Sequence, residues 1–192
     1  MVEGIMTTKT IPQQLAQDSV TQLVEAAKQD PRKFGDLYLL YAQPVFRYLY
    51  SRLGNRLAAE DATAQTFLAA LEQIQKYHDR GYFSSWLFSI ARHKAMDYFR
   101  KGHKETPIED IELIATDPSL LTQVIKTERS LALAELIRKL SPDEQELIRL
   151  RYVGELSFAE MGNILGQKED TVKKSLYRLL ARLKVQLEVA NV

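Results

Sequence analysis

The stretch from Ser157 to Leu187 leaves this chain the least freedom. It runs Ser157-Phe158-Ala159-Glu160-Met161-Gly162-Asn163-Ile164-Leu165-Gly166, then Gln167-Lys168-Glu169-Asp170, then a long basic run from Thr171. Phe158, Met161, Ile164 and Leu165 fall at helical spacing and give a short helix its inner face. Val172, Leu176, Leu179, Leu180 and Leu183 do the same for a second, longer helix. Ser157 is a cap residue for the first helix, and Gly166 makes the tight turn between the two. The outline is a helix-turn-helix whose second helix carries Lys173, Lys174, Arg178, Arg182 and Lys184.

The rest of the chain is punctuated for helices as well. With 8 glycines and 6 prolines in 192 residues, and no alternating β-branched run of convincing length, the fold class reads as all-α. A first short helix is expected from Val20 to Lys28, ending near Asp30-Pro31. A second runs from about Pro31 to Leu53, with Leu37, Leu40, Tyr41, Val45, Tyr48 and Leu49 on its apolar face, a bend expected at Pro44, and Gly54-Asn55 closing it. Ala58 to Lys76 forms a third, followed by a loop over Tyr77-His78-Asp79-Arg80-Gly81. A fourth spans Phe83 or Ser84 to about Lys101, with Ser84 or Ser85 as N-cap. Gly102 to Ser119, with Pro107 and Pro118, is weakly periodic, although Ile108, Ile111, Leu113 and Ile114 make it more than a polar tether. Helical pattern resumes from about Leu121 to Leu140. Ser141-Pro142-Asp143-Glu144 then starts a helix that reaches about Tyr152 and stops near Gly154. The expected division is a tail (1–17), a helical domain (18–102), a flexible linker (103–127) and a smaller helical domain (128–190).

Charge placement matters more than its sum. The net charge is only +1, which alone argues against a general nucleic-acid binder. Arg92, Lys94, Arg100, Lys101 and Lys104 nevertheless form one basic run, and the C-terminal helix forms another. Between them every charge from Glu105 to Pro118 is acidic. Such segregation lets two surfaces bind polyanion while the total stays near zero. There are no cysteines, so disulfides and thiolate metal sites are excluded. No apolar run reaches the ~18 residues that span a bilayer, and Met1-Val2-Glu3-Gly4-Ile5 lacks a secretory pattern, so a cytoplasmic protein without membrane insertion is expected. His78, His93 and His103 show no metal-ligand spacing, Glu60-Asp61 point to different sides of a helix, and no glycine-rich phosphate loop exists. No catalytic residue, metal or cofactor is expected.

Two segments point to nucleic acid. In a helix-turn-helix the second helix lies in the DNA major groove, where outward cations neutralise phosphates and reach base edges. Lys173, Lys174, Arg178 and Arg182 stand on that outer face, and Asp170-Thr171 at the helix start can hold a phosphate. The second segment, Tyr82 to Lys101, interleaves aromatics with cations, as surfaces for unpaired bases do. Trp86, Leu87, Ile90 and Phe99 fall at core spacing. Tyr77, Arg80 and Tyr82, in or beside the loop, are the better candidates for base contact.

Phe83-Ser84-Ser85-Trp86-Leu87-Phe88-x-Ile90-Ala91-Arg92, with Ala95-x-Asp97-Tyr98-x-Arg100-Lys101, resembles the promoter-melting region of extracytoplasmic-function (ECF) sigma factors of the sigma-70 family. Ala59-Glu60-Asp61-Ala62-x-x-Gln65-x-Phe67-Leu68 resembles that family's helix for the clamp-helix coiled coil of RNA polymerase. Leu140-Ser141-Pro142-x-Glu144-x-x-Leu147-Ile148-x-Leu150-Arg151-Tyr152 and the helix-turn-helix resemble its domain four, so the likeness covers about residues 20 to 188. The resemblance implies a sigma region 2 bundle that binds core polymerase at its β′ clamp helices through Glu60, Asp61, Gln65, Phe67 and Leu68. It implies −10 recognition and strand opening by Tyr77, Arg80, Tyr82, Arg92, His93, Lys94, Arg100 and Lys101, with a base held out of the stack. It implies a region 4 that meets the β flap and reads the −35 element through Lys168, Thr171, Lys173, Lys174, Ser175, Arg178 and Arg182. Promoter DNA and core polymerase are the implied partners, an anti-sigma factor is a partner of many relatives, and the chemistry would be the polymerase's. The chain departs from the family at His93, Gly162, Asp170 and Lys174-Ser175, positions that bear on which sequence is read. The competing reading is a stand-alone helix-turn-helix regulator, which would need a dimer interface and a palindromic site.

Overall fold

The computed structural model describes residues 10–78, 82–102 and 128–190. Eight α-helices and no strand occur among them. Helix α1 (Thr10–Gln29) starts well upstream of the expected Val20, because a formed helix propagates at one hydrogen bond per residue and needs no apolar face to do so. Asp30 then turns extended, and its carboxylate takes the backbone N–H of Arg32 at 3.0 Å, which begins a 3-10 turn over Pro31–Lys33. Helix α2 (Phe34–Leu53) runs on through Pro44 and ends where Gly54 adopts φ 63°. Asn55 caps α3 (Arg56–Gln73) by accepting the Ala58 N–H at 2.9 Å. A 3-10 turn over Ile74–Lys76 leads out of α3.

Helix α4 (Phe83–Arg100) starts after Tyr82 with no side-chain cap, so neither Ser84 nor Ser85 has the expected capping role. Both are buried and turned toward the other half of the molecule. Their hydroxyls, not engaged as caps, reach Glu160 of the second unit. The first unit closes on Val24, Leu37, Tyr48, Leu49, Phe67, Phe83, Leu87 and Phe88. Ala59, Ala62 and Ala70 let α3 approach its neighbours closely, while the Thr63 and Thr66 hydroxyls satisfy themselves on the Ala59 and Ala62 carbonyls, each at 2.7 Å.

The second unit begins with α5 (Glu128–Arg138); residues 121–127 lie outside the described residues, as does the whole 103–127 linker. Helix α6 (Pro142–Ile148) opens on the expected signals, with Pro142 at its first position and Ser141 and Glu144 in a reciprocal capping box. It does not continue regularly to Tyr152. Arg149–Val153 widen into a π-turn, with the Gly154 N–H donating to the Arg149 carbonyl at 2.9 Å. Ser157 and Glu160 make a second capping box at the start of α7 (Phe158–Leu165), which Gly166 ends in the left-handed conformation at φ 65°. Helix α8 (Glu169–Ala190) follows. Met161, Ile164, Val172, Leu176, Leu179 and Leu183 fill this unit, as their spacing predicts.

The two units do not stand apart. Helices α2 and α4 of the first lie against α6, the π-turn and α7 of the second, and the buried side chains of both form one continuous cluster.

Candidate nucleic-acid interface

Burial of Val172, Leu176, Leu179 and Leu183 turns the opposite side of α8 outward. Lys168, Thr171, Lys174, Arg178 and Arg182 are exposed there, and Lys173 and Ser175 are half-buried. The six-residue path from Gly162 to Gln167 sets the angle of this helix. The Gly162 carbonyl accepts the N–H of Gln167 at 3.0 Å, and a Cβ at Gly162 would lie 2.7 Å from the Gln167 carbonyl oxygen. Among the described residues Lys168, Lys173, Lys174 and Arg178 make no ion pair, so four cations face outward without a counter-charge. Arg182 differs: its guanidinium holds Glu144 at 2.6 Å. That bond, with the Ser141 N–H, keeps the Glu144 carboxyl below the usual range. Glu169 and Asp170 occupy the first turn, where the helix dipole favours negative charge.

The α4 candidates divide. Tyr82 and His93 are exposed; His93 donates from Nδ1 to the Ser89 carbonyl at 2.7 Å and leaves Nε2 outward. Lys101 is exposed and Lys94 half-buried, while Arg100 pairs with Asp97 at 3.2 Å. Tyr77 is no free loop side chain: it stacks on Trp86 at 4.6 Å and meets the edge of Phe83 at 5.7 Å. Leu87 is core as expected, but Trp86, Ile90 and Phe99 are only half-buried. Arg80 lies outside the described residues. Arg92 turns away from open solvent toward Glu146.

On α3, Glu60, Asp61, Gln65 and Leu68 are exposed. Glu60 pairs with Arg56 at 2.9 Å, and the Gln65 amide donates to Asp61 at 2.7 Å. Phe67 corrects the expectation of a surface contact. It is 5% exposed and its ring meets Tyr38 at 4.8 Å and Phe34 at 6.4 Å. Adjacent helix positions differ by about 100°, and here that step takes Phe67 into the core and leaves Leu68 57% exposed. Phe67 instead floors a groove of about 780 Å³ between α2 and α3, also lined by Tyr38, Phe46, Leu68 and Leu71. Leu40, expected on the apolar inner face of α2, is 49% exposed, and Leu39 and Leu57 are more so.

The contacts between the units were not foreseen from sequence. Glu146 is 4% exposed. Its carboxylate accepts the Tyr48 hydroxyl at 2.6 Å, pairs with Arg52, and has Arg92 at 3.4 Å and Arg149 at 3.9 Å. Burial, followed by the Glu146 charge, pushes the Tyr48 phenol well above its ordinary range. The Ser84 hydroxyl donates to the Glu160 carboxylate, and that of Ser85 to the Glu160 carbonyl at 3.2 Å. Arg47 reaches Glu155 at 3.0 Å, and the Arg149 Nε donates to the Ser51 carbonyl at 3.2 Å. Gly154 abuts Phe88, whose ring would lie 2.8 Å from an added Cβ. One signal was available: Glu146 stands next to Leu147 on the inward side of α6, where an apolar residue would be ordinary.

Among the described residues no His, Asp and Glu group could hold a metal ion, and no helix is long and apolar enough to cross a membrane. The family model for sigma-70 region 2 matches residues 37–105, and that for sigma-70 region 4 matches residues 130–183. The ECF RNA polymerase sigma factor SigM of Bacillus subtilis is 31% identical over 78% of this chain and 91% of its own length. BldN, an ECF RNA polymerase sigma factor of Streptomyces coelicolor, is 34% identical over 84% of this chain, which spans 63% of that relative. A solved structure of CnrH in complex with the cytosolic domain of CnrY shares the fold at a TM-score of 0.61, with 22% identity, 87% of this chain and 96% of that one covered. Two region models in succession, an outward basic helix on a helix-turn-helix and relatives matched along most of their length converge: the chain belongs to the sigma-70 family, among its extracytoplasmic-function sigma factors.

Proposed function

We propose that this protein carries core RNA polymerase to promoters, with residues 18–102 as region 2 and 128–190 as region 4. The observation that carries the reading is α8, a helix-turn-helix second helix that carries Lys173, Lys174 and Arg178, with Lys168 in the turn just before it, none of them in an ion pair among the described residues. Thr171, Ser175 and Arg178 meet base edges of the −35 element, and the lysines hold its phosphates. Tyr82, His93, Lys94, Arg100 and Lys101 lie along one helix and its entry, suited to an opened −10 strand, and the Tyr77–Trp86 stack offers an aromatic wall beside it. Asp61, Gln65 and Leu68, with the α2–α3 groove, form the surface for the polymerase clamp, and an anti-sigma factor would compete for such a surface. The protein has no catalytic step of its own and works in the cytoplasm, where the polymerase is.

In-vitro transcription with core polymerase on a genomic promoter library tests this. Discrete start sites that vanish without the protein are expected. Replacing Asp61 and Gln65 by alanine should lower core binding while the melting curve stays in place. Core that starts nowhere in the protein's presence refutes the reading.

A further inference from the structure

Glu146 is the only buried charged side chain among the described residues. Taking a carboxylate out of water is costly, and an apolar residue would fill the space more cheaply. What surrounds it is specific. Two guanidiniums and a phenol hydroxyl from the first unit, Arg52, Arg92 and Tyr48, converge on its two oxygens. Convergent guanidinium and hydroxyl donors are the set that recognises a phosphate oxyanion. The wider interface repeats the polarity, with Arg47 on the first unit and Glu155 on the second. Arg92 also lines a cleft of about 590 Å³ together with Ser175, Arg178 and Arg182 of α8.

This closed arrangement cannot be the one that reads a promoter. The −10 and −35 elements lie about 25 base pairs apart, roughly 85 Å of duplex at ~3.4 Å a step. Residues assigned to both elements here share a single cleft. The units must separate on DNA, and separation uncovers the side chains that Glu146 occupies.

We propose that Arg52, Arg92 and Tyr48 form a binding notch for a backbone phosphate of promoter DNA, and that Glu146 fills it as an internal surrogate until the two units part. The notch extends the first unit's nucleic-acid surface from α4 onto the end of α2. It rests on the promoter-binding reading above. It also makes closure self-masking: the free molecule hides a phosphate contact that the opened molecule offers.

Two variants test this on the full chain without polymerase. Glu146→Gln removes the surrogate charge. Gly154→Leu drives a side chain against Phe88 and parts the units without touching any charge. Small-angle scattering should show both larger than the parent. Both should bind a promoter-length duplex at least ~10-fold tighter, and circular dichroism should show both still helical. Adding Arg52→Ala should remove most of that gain and lower the salt slope by about one, the share of one phosphate. Should Glu146→Gln fail to fold, Gly154→Leu carries the test alone. Variants that stay compact at parental affinity overturn the proposal, as does a gain that persists without Arg52. Transcription with core polymerase is read in parallel: parental activity there with no effect of the variants sinks the notch alone, whereas no initiation at all sinks the promoter reading beneath it.

Discussion

A methyl group at Gly162 would meet backbone on one side at 2.7 Å, the Gln167 carbonyl oxygen, and on another at 3.4 Å, the Glu169 nitrogen. Neither belongs to a flexible side chain that could swing away. Alanine gains about 1 kcal/mol over glycine in a helix interior, but overpacking costs ~1–3 kcal/mol, so Gly162→Ala should destabilise the protein by about 1 kcal/mol. Urea unfolding decides the sign. Tyr48 is the second informative residue. Replacing it by phenylalanine leaves Glu146 one donor short, and hydrogen bonds to charged groups contribute ~1.5–3 kcal/mol, so a loss of about 2 kcal/mol is expected. The same substitution has a pH signature. The folded phenol keeps its proton far above the ordinary pKa of ~10, whereas the unfolded one gives it up there. Tyr48 therefore contributes fully below about pH 10 and progressively less as pH climbs beyond it. The parent should lose stability over that rise faster than Tyr48→Phe does; parallel curves would contradict the buried pairing. Sequence marked Gly162 as a departure from the family and placed Tyr48 on the apolar face of α2. It could not show the Gln167 carbonyl or the carboxylate 98 positions away.

At the scale of elements, punctuation and period were the readable signals. Both capping boxes, the Gly54 and Gly166 stops and the inner faces of α7 and α8 stand where residue chemistry places them. Side-chain facing was less legible where neighbours in sequence are both apolar. Phe67 and Leu68 are equivalent to a pattern, and packing alone turned the aromatic in and the leucine out. The π-turn was hidden because Leu147, Leu150 and Val153 keep a three-residue spacing that a regular helix also allows. Helix α8 makes its own prediction. With Lys173, Lys174 and Arg178 all replaced by alanine, the slope of log affinity against log salt should fall by about 2–3, at ~0.9 per phosphate lost. An unchanged slope in filter binding would mean that this face does not touch the duplex.

At the scale of the whole molecule, the division into two helical units was legible, and their closure was not. Local pattern reports on a residue's own helix. The pairs that close the molecule, such as Arg52 with Glu146 and Arg47 with Glu155, join positions about a hundred apart in the chain. Ser84 and Ser85 were misassigned for the same reason, since a serine at a helix start reads locally as a cap. Salt separates the two kinds of contact. The Arg47–Glu155 pair, with its glutamate 67% exposed, should be screened, while the pairs made by the Glu146 carboxylate, itself 5% exposed, should be screened far less. The radius of gyration should thus hardly change between ~0.05 and ~0.5 M salt; expansion over that range would mean that rim charges alone keep the units together.

The wide turn at Arg149–Val153 holds one residue more per turn than a regular helix. Excising that residue would rotate everything downstream by about 100° around the axis. Gly154 would swing off Phe88, and Glu160 off Ser84, while Glu146 upstream kept its bearing. A one-codon deletion would then disturb the seam between the halves and also turn α6 against α8 inside the second unit, where Arg182 holds Glu144, so closure of the molecule and packing of its second half share one phase setting.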